Sequence, residues 1–209
     1  MAARVSAGDA GTAARILDVA ERLVQVRGFN GFSYADIATE LRITKAALHY
    51  HFAGKADLGE ALISRYATRF AAALAGVDAV AAAASARLSG YADLYLQVLR
   101  NRKMCLCGML AAEYQTLPQP MQDAVLRFFD ENETWLERVL EHGRADGSLQ
   151  FRGTARDTAR LIISSLEGAM LVARPYGDVD RFQAVAQSLL AGLARPSTAP
   201  PSRSASAVA

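Results

Sequence analysis

The feature that most constrains this chain is residues 32–57, FSYADIATELRITKAALHYHFAGKAD, which has the pattern of two short helices separated by a tight turn. Ser33 is placed to cap the first helix, and Asp36 three residues later completes a capping-box-like pair. Apolar residues then recur on one face at helical spacing, namely Ile37, Ala38 and Leu41. Thr44 is a second N-cap, opening a helix over residues 45–51. This layout predicts a helix-turn-helix, whose second helix enters the major groove of DNA.

The same segment has a composition that favours an anionic partner. Between Arg42 and Lys55 there are three basic residues, two histidines and no acid. Phosphates are bound by cations, hydroxyls and helix N-termini. Tyr50 can offer its hydroxyl, and Lys55 lies at the start of the next helix, whose N-terminus also attracts anions. We therefore expect these residues to contact the DNA backbone.

The leading end of the second helix is the part that would touch base edges. A lysine there can donate to guanine, and alanine methyl groups can meet thymine methyl groups. The base-facing candidates are Lys45, Ala46, Ala47 and His49.

Three pieces of the chain, ARILDVAERLVQVRGFNGFS, YADIATEL and ITKAALHYHFAGKADL, resemble the DNA-binding domain of the TetR family of bacterial repressors. The resemblance covers residues 12 to about 61. It implies an all-α protein with an N-terminal three-helix helix-turn-helix domain and a C-terminal helical domain for ligand binding and dimerisation. It also implies phosphate contacts from Ser33, Tyr50 and Lys55, and base-facing positions for Lys45, Ala46, Ala47 and His49. From the residues themselves we add Thr44 and His51 to the expected DNA contacts.

Two positions depart from the family pattern. Arg42 stands in the turn where the family often has glycine, and a left-handed conformation costs a residue with a Cβ roughly 1–2 kcal/mol. His49 stands where tyrosine is common. We therefore expect a turn that is either slightly strained or differently shaped, and we do not transfer any known operator sequence.

Global charge does not by itself indicate a nucleic-acid partner, because the net charge is only +2. The two cysteines, Cys105 and Cys107, are two residues apart, which on a helix points them to nearly opposite faces and disfavours a disulfide or a zinc site. No apolar run suits a signal peptide or a membrane span, since the most apolar stretch, residues 70–86, contains Asp78. We expect a cytoplasmic protein without cofactor or membrane contact.

Helical periodicity continues through the rest of the chain, and we expect about nine helices and no strand. The first helix should run from Thr12 to Arg27, residues 76–78 should break the fourth, and Pro175 should follow the end of the eighth. The last two helices carry long apolar stripes, which either pair with a second copy as a four-helix bundle or face their own core; we favour the homodimer. The expected divisions are a disordered arm (1–11), a DNA-binding domain (12–60), a ligand-binding and dimerisation domain (61–195) and a disordered tail (196–209).

The larger C-terminal part offers candidates for sensing a signal. Residues 101–113 are similar to the segment that holds a reactive cysteine at a helix start in electrophile-sensing family members, and Cys105 matches that cysteine. Arg102 and Lys103 would stabilise its thiolate. The alternative is that Cys105 is an ordinary buried thiol. The candidate ligand or redox residues are Cys105, Cys107, Tyr91, Tyr95, Glu113 and Trp135.

Three functions are compatible with these features. The first is a dimeric regulator, a repressor released from operator DNA by an unidentified small-molecule effector or electrophile. The second is a constitutive DNA-binding protein with no ligand. The third, a helical enzyme, is weakly supported, because His142 is the one histidine outside the helix-turn-helix and no Glu-x-x-His pair exists.

Overall fold

The computed structural model describes residues 7–194, so the expected tail and the first six residues of the expected arm lie outside the described residues. Within that range there are nine α-helices and one short 3-10 helix, Tyr114–Thr116, and the β-structure consists of an isolated bridge between Leu149 and Ala194. The all-α prediction is confirmed. The helices are α1 (Ala7–Arg27), α2 (Tyr34–Leu41), α3 (Lys45–His51), α4 (Lys55–Val80), α5 (Ala84–Arg100), α6 (Leu106–Ala112), α7 (Gln119–Ala145), α8 (Ala155–Tyr176) and α9 (Val179–Ala191).

Two predicted boundaries in the N-terminal half were wrong. Helix α1 begins at Ala7 rather than Thr12, so the last five residues of the expected arm are helical. Helix α4 continues through residues 76–78 to Val80. A single glycine in a helix costs only about 1 kcal/mol relative to alanine, and the flanking alanines favour the helix. Val77 also packs over Gly90 of α5, where an added Cβ would lie 2.8 Å from its side chain.

The end of α8 also differs from the prediction, because Pro175 lies inside the last helical turn. The turn is closed by hydrogen bonds that do not need a proline N–H: Gly177 N–H bonds to Arg174 and Asp178 N–H to Ala173. Gly177 then ends the helix in the left-handed conformation, with φ 60°.

Helix α4 connects the two halves of the molecule. Its first turns bury Leu58 and Leu62, and its later turns bury Tyr66 and Leu74. The N-terminal core is built from α1, α2 and α3, and includes Ile16, Ala20, Leu23, Val24, Ile37 and Leu48. The C-terminal core is built mainly from α5, α7, α8 and α9. Among residues 7–194, no helix is long and apolar enough to span a membrane.

Candidate functional site

The two caps of the helix-turn-helix form as the sequence predicts. The Asp36 carboxylate accepts hydrogen bonds from the Ser33 backbone N–H at 2.7 Å and from its hydroxyl at 2.6 Å. Both bonds lower the pKa of Asp36, the one from the Ser33 hydroxyl more than the one from the Ser33 backbone, and the charge of Arg27 lowers it further. The Thr44 hydroxyl accepts from Ala47 N–H at 3.1 Å. The beginnings of α2 and α3 are therefore fixed by local contacts.

The turn between α2 and α3 is strained, the first of the two expected outcomes. Arg42 adopts the left-handed conformation, with φ 55° and ψ 43°. Ile43 N–H then bonds to the Ala38 carbonyl at 3.0 Å. Ala38 is nearly buried, and its small side chain allows the two helices to approach closely.

Helix α3 turns one side to the core and the other to solvent. Leu48 is fully buried and anchors the helix. The residues expected at DNA lie on the outer side: Thr44, Lys45, Ala46, His49 and Tyr50 are exposed, and Ala47 and His51 are half-buried. Tyr50 is 74% exposed, which is unusual for a large aromatic side chain, and its ring contacts that of His51 edge-on at 5.2 Å. The candidates on and next to α3 are therefore all at least partly accessible to a partner.

His49 is held by a tyrosine that the sequence reading did not single out. Its Nδ1 lies 2.9 Å from the Ala53 carbonyl, and its ring lies 4.9 Å from that of Tyr34. Tyr34 in turn donates its hydroxyl to the Gly54 carbonyl at 2.6 Å. Burial, with a contribution from Asp57, raises the pKa of Tyr34 to about 12, so it remains a donor. Nδ1 therefore faces the protein, and Nε2 is the His49 atom that can act on a partner.

The sequence predicts that Lys55 contacts a DNA phosphate, but in the structure its ammonium is largely engaged by the protein. Its ammonium donates to the carbonyls of Phe29 and Phe32, at 2.5 Å each, and lies over both rings at 4.7 and 4.3 Å. Burial lowers its pKa, while Glu113 and Asp36 act in the opposite direction. Two of its three donors hold the loop between α1 and α2, so one donor remains for a phosphate.

Glu113, expected in the ligand set, lies instead at the junction between the two halves. Its carboxylate accepts from Phe29 N–H at 2.5 Å and Asn30 N–H at 3.3 Å. Gly28 permits this contact: its φ is +83°, and a Cβ there would lie 2.7 Å from Glu113 Oε1. Asn30 adds a bond to the Thr116 hydroxyl at 2.8 Å. The loop before α2 is therefore attached directly to the residues after α6.

A second set of contacts attaches the end of α1 to the C-terminal part. Met104 N–H donates to the Gln25 carbonyl at 3.2 Å, and the Arg174 guanidinium of α8 donates to the Val26 carbonyl. The segment that precedes α6 and helix α8 thus both contact the end of α1.

Cys105 is the N-cap of α6, as the resemblance implied, but its environment is apolar. The thiol accepts from Gly108 N–H at 3.5 Å and from the Tyr66 hydroxyl at 3.7 Å. Burial, followed by the nearby Glu167, raises the pKa of Cys105 well above its usual value. Arg102 and Lys103 were expected to lower the pKa of this thiol, but neither is among the groups that shift it, and the shift is upward. Burial also raises the pKa of Cys107.

The remaining sensing candidates form one aromatic core. Tyr91 and Tyr95 join their hydroxyls at 3.1 Å, and Tyr91 stacks on Trp135 with 5.7 Å between ring centroids. Trp135 Nε1 donates to Asp78 at 3.0 Å. Burial raises the pKa of both tyrosines. The structure therefore brings Cys105, Tyr91, Tyr95 and Trp135 into one region and separates Glu113 from them.

Glu167 of α8 belongs to this region and was missed. Its carboxyl interacts with the Cys105 thiol and the Tyr95 hydroxyl, while Oε1 is buried without a hydrogen-bond partner. Burial raises the pKa of Glu167 to about 7, and its two hydrogen-bond partners lower it less. An acid within the apolar run LIISSLEGAML was the available signal. No group of three or more potential metal ligands occurs within residues 7–194.

Comparison with known proteins gives family matches over both halves. The family model of bacterial regulatory proteins of the tetR family matches residues 16–62. The model of the tetracyclin repressor-like C-terminal domain matches residues 84–189, about half of the chain.

Individual proteins agree with these matches. A TetR-family transcriptional regulator from Agrobacterium tumefaciens has a structure with TM-score 0.86 and 33% identity, covering 89% of this chain and 99% of that one. The structure of a TetR transcriptional regulator from Legionella pneumophila has a TM-score of 0.79 and 37% identity, covering 86% of this chain and 95% of that one. The transcriptional regulator AcuR of Cereibacter sphaeroides is 29% identical over an alignment of 156 residues that covers 71% of this chain and 69% of AcuR.

Proposed function

Because the chain belongs to the TetR family of bacterial transcriptional regulators, we propose that it is a repressor that binds operator DNA as a homodimer and is released by a small molecule. DNA-binding regulation follows from the family. The surface of α3 carries the finer proposal, since it presents basic, aromatic and methyl groups together to solvent.

The proposed contacts divide by chemistry. Lys45, Ala46, Ala47 and His49 occupy the leading end of α3 and its exposed side, where base edges are read. The phosphate contacts are Ser33, Thr44, Tyr50, His51 and Lys55. Ser33 reaches a phosphate by turning its hydroxyl away from Asp36, and Lys55 does so through its remaining donor.

The apolar stripe of α8 from which the dimer was predicted faces the protein's own core, since Ile162, Leu166 and Met170 are buried. The proposed dimer is supported instead by an uncovered stripe on another side of α8. The exposed positions 161, 164, 168, 171 and 175 are spaced alternately by three and four residues, the spacing of a helix-packing seam. Leu161, Leu171 and Val172 are each more than half exposed. Gly168, whose Cβ would meet nothing within 4 Å, would let a partner helix approach closely. A two-fold pair of α3 helices would then read two half-sites.

Release from DNA requires a ligand that binds more tightly to a dimer conformation in which the distance between the two α3 helices does not match the operator half-sites. Both α6 and α8 contact the end of α1 or the loop after it, so displacement of either would reach the helix-turn-helix. A signal at Cys105 is a second candidate, because this thiol contacts Tyr66 of α4. In that case the Cys105→Ser variant would still bind DNA but would no longer respond to an electrophile. If an electrophile still released Cys105→Ser from DNA, Cys105 would be excluded as the sensor.

Fluorescence anisotropy on DNA from upstream of the protein's own gene tests the proposal, at two salt concentrations and against a scrambled duplex. Tight, salt-sensitive binding that favours the upstream DNA is expected. A response to added small molecules would then separate a ligand-released repressor from a constitutive DNA-binding protein.

A further inference from the structure

A cavity of about 380 Å³ lies between α6, α7 and α8. This volume is at the lower end of the range for small-molecule sites. Most of its wall is apolar, including Met104, Met109, Ala111, Phe129, Ile163 and Leu171.

The charged groups of this cavity are unequal. Glu133 is paired with Arg160 at 3.2 Å, so these two largely neutralise each other. Glu167 has no salt bridge with any residue of the described range. Its Oε2 lies over Gly108, where a Cβ would collide with it, and its Oε1 is buried without a hydrogen-bond partner. The neighbours of its carboxyl are the Cys105 thiol and the Tyr95 hydroxyl, so Glu167 has polar contacts but no positively charged partner.

Resting on the proposed function, we infer that this cavity is the effector site and that its effector is a small apolar molecule carrying an ammonium group. Glu167 lies on the wall of the cavity, and an ammonium supplies the opposite charge that a buried carboxylate requires and that no residue of the described range provides. A neutral alcohol of the same shape supplies a donor without the charge, and a carboxylate would face repulsion. The apolar wall accommodates the body of the molecule.

The position of the cavity explains how such a molecule could act. Its walls belong to α6 and α8, and each helix is connected to the end of α1. Glu113, which follows α6, holds the loop after α1, and Arg174 of α8 holds the Val26 carbonyl. Ser164, Gly168 and Leu171 belong both to the cavity and to the exposed stripe on α8. A ligand that separates α6 from α8 therefore acts on the DNA-binding end and on the proposed dimer contact.

Isothermal titration calorimetry of the full-length protein tests this site without DNA. The probes are butylamine, cyclohexylamine and benzylamine, each compared with the alcohol and the carboxylic acid of the same shape. Glu167→Gln keeps the shape and removes the charge, and Glu133→Gln is the matched control on the same cavity. Circular dichroism confirms that both variants are folded.

We expect at least one amine to bind in preference to the alcohol and the acid of the same shape. Glu167→Gln should weaken the binding of that amine by roughly tenfold or more, and Glu133→Gln should bind it as the unaltered protein does. The same amine should release operator DNA. Absence of amine binding, equal binding of alcohol or acid, unchanged binding by Glu167→Gln, or binding without release would overturn the inference. A protein that binds amines through Glu167 but never binds DNA would instead contradict the proposed function.

Discussion

At the scale of single residues, the interface combines groups that read bases with groups that are mainly held by the protein. Lys45 and Ala46 project freely from α3, whereas His49 is oriented by Tyr34 and Ala53. Substitutions should therefore have different effects on affinity, on sequence preference and on stability.

Lys45→Ala and His49→Ala should each weaken operator binding by about 1–3 kcal/mol and relax the preference at particular base pairs. Tyr50→Phe removes a proposed phosphate contact and should weaken binding to all sequences alike. Anisotropy on a panel of singly substituted operators measures both effects. If the Lys45 and His49 variants kept both affinity and preference, the base-reading assignment would be wrong.

Lys55→Met should lower the free energy of unfolding as well as DNA affinity, because the Phe29 and Phe32 carbonyls would lose a charged donor. Hydrogen bonds to charged groups contribute about 1.5–3 kcal/mol, and partial exposure places the expected loss near the lower value. Urea denaturation measures it, with Lys45→Met as the exposed control. Equal stability of the two variants would contradict the structural role of Lys55.

Glu167 makes the stability of the protein depend on pH. Its pKa is about 7 in the folded state and near the usual 4.5 when unfolded, so its contribution is fully present below about pH 4.5 and is lost as pH rises through about 7. The expected loss is on the order of 3 kcal/mol. The ionisable groups around it are Tyr66 from α4, Tyr91 and Tyr95 from α5, Cys105 and Cys107 from α6, Glu133 from α7 and Arg160 from α8.

Denaturation of the unaltered protein and of Glu167→Gln at pH 5 and pH 8 isolates this effect. As pH rises from 5 to 8, the free energy of unfolding of the unaltered protein should fall relative to that of Glu167→Gln. A constant difference would show that the Glu167 carboxyl titrates normally.

At the scale of helices, local patterns predicted most elements, and tertiary packing decided the rest. Ser33 and Thr44 cap α2 and α3 as expected, because capping depends on neighbouring residues. The continuation of α4 past Gly76 depends on Val77 packing against α5, which no local signal reveals. For the same reason the sequence identified Cys105 at a helix start but not its burial beside Glu167.

The junction between the halves is also an element-scale feature, and Glu113→Ala tests it. The variant leaves the Phe29 and Asn30 N–H groups without their acceptor, which should cost about 1–3 kcal/mol of stability. It should also weaken the effect of any ligand on DNA binding. Glu141→Ala, at an exposed position of α7, is the control. A stable variant with an unchanged ligand response would show that this contact does not connect the two halves.

At the scale of the whole molecule, the proposed dimer turns two small reading helices into one extended site. Leu171→Glu places a charge in the exposed stripe of α8 and should convert the dimer to monomers with greatly weakened operator binding. Leu126→Glu, at a similarly exposed position of α7, should do neither. Light scattering coupled to gel filtration measures the mass. A dimeric Leu171→Glu protein would place the interface elsewhere.

The most direct measurement of the central proposal is anisotropy of the unaltered protein and of the Lys45→Ala, His49→Ala double variant, on upstream DNA and on a scrambled duplex. We predict that the unaltered protein binds the upstream DNA tightly and in preference to the scramble, and that the double variant loses this preference. Equal preference of both proteins would contradict a DNA-reading surface on α3.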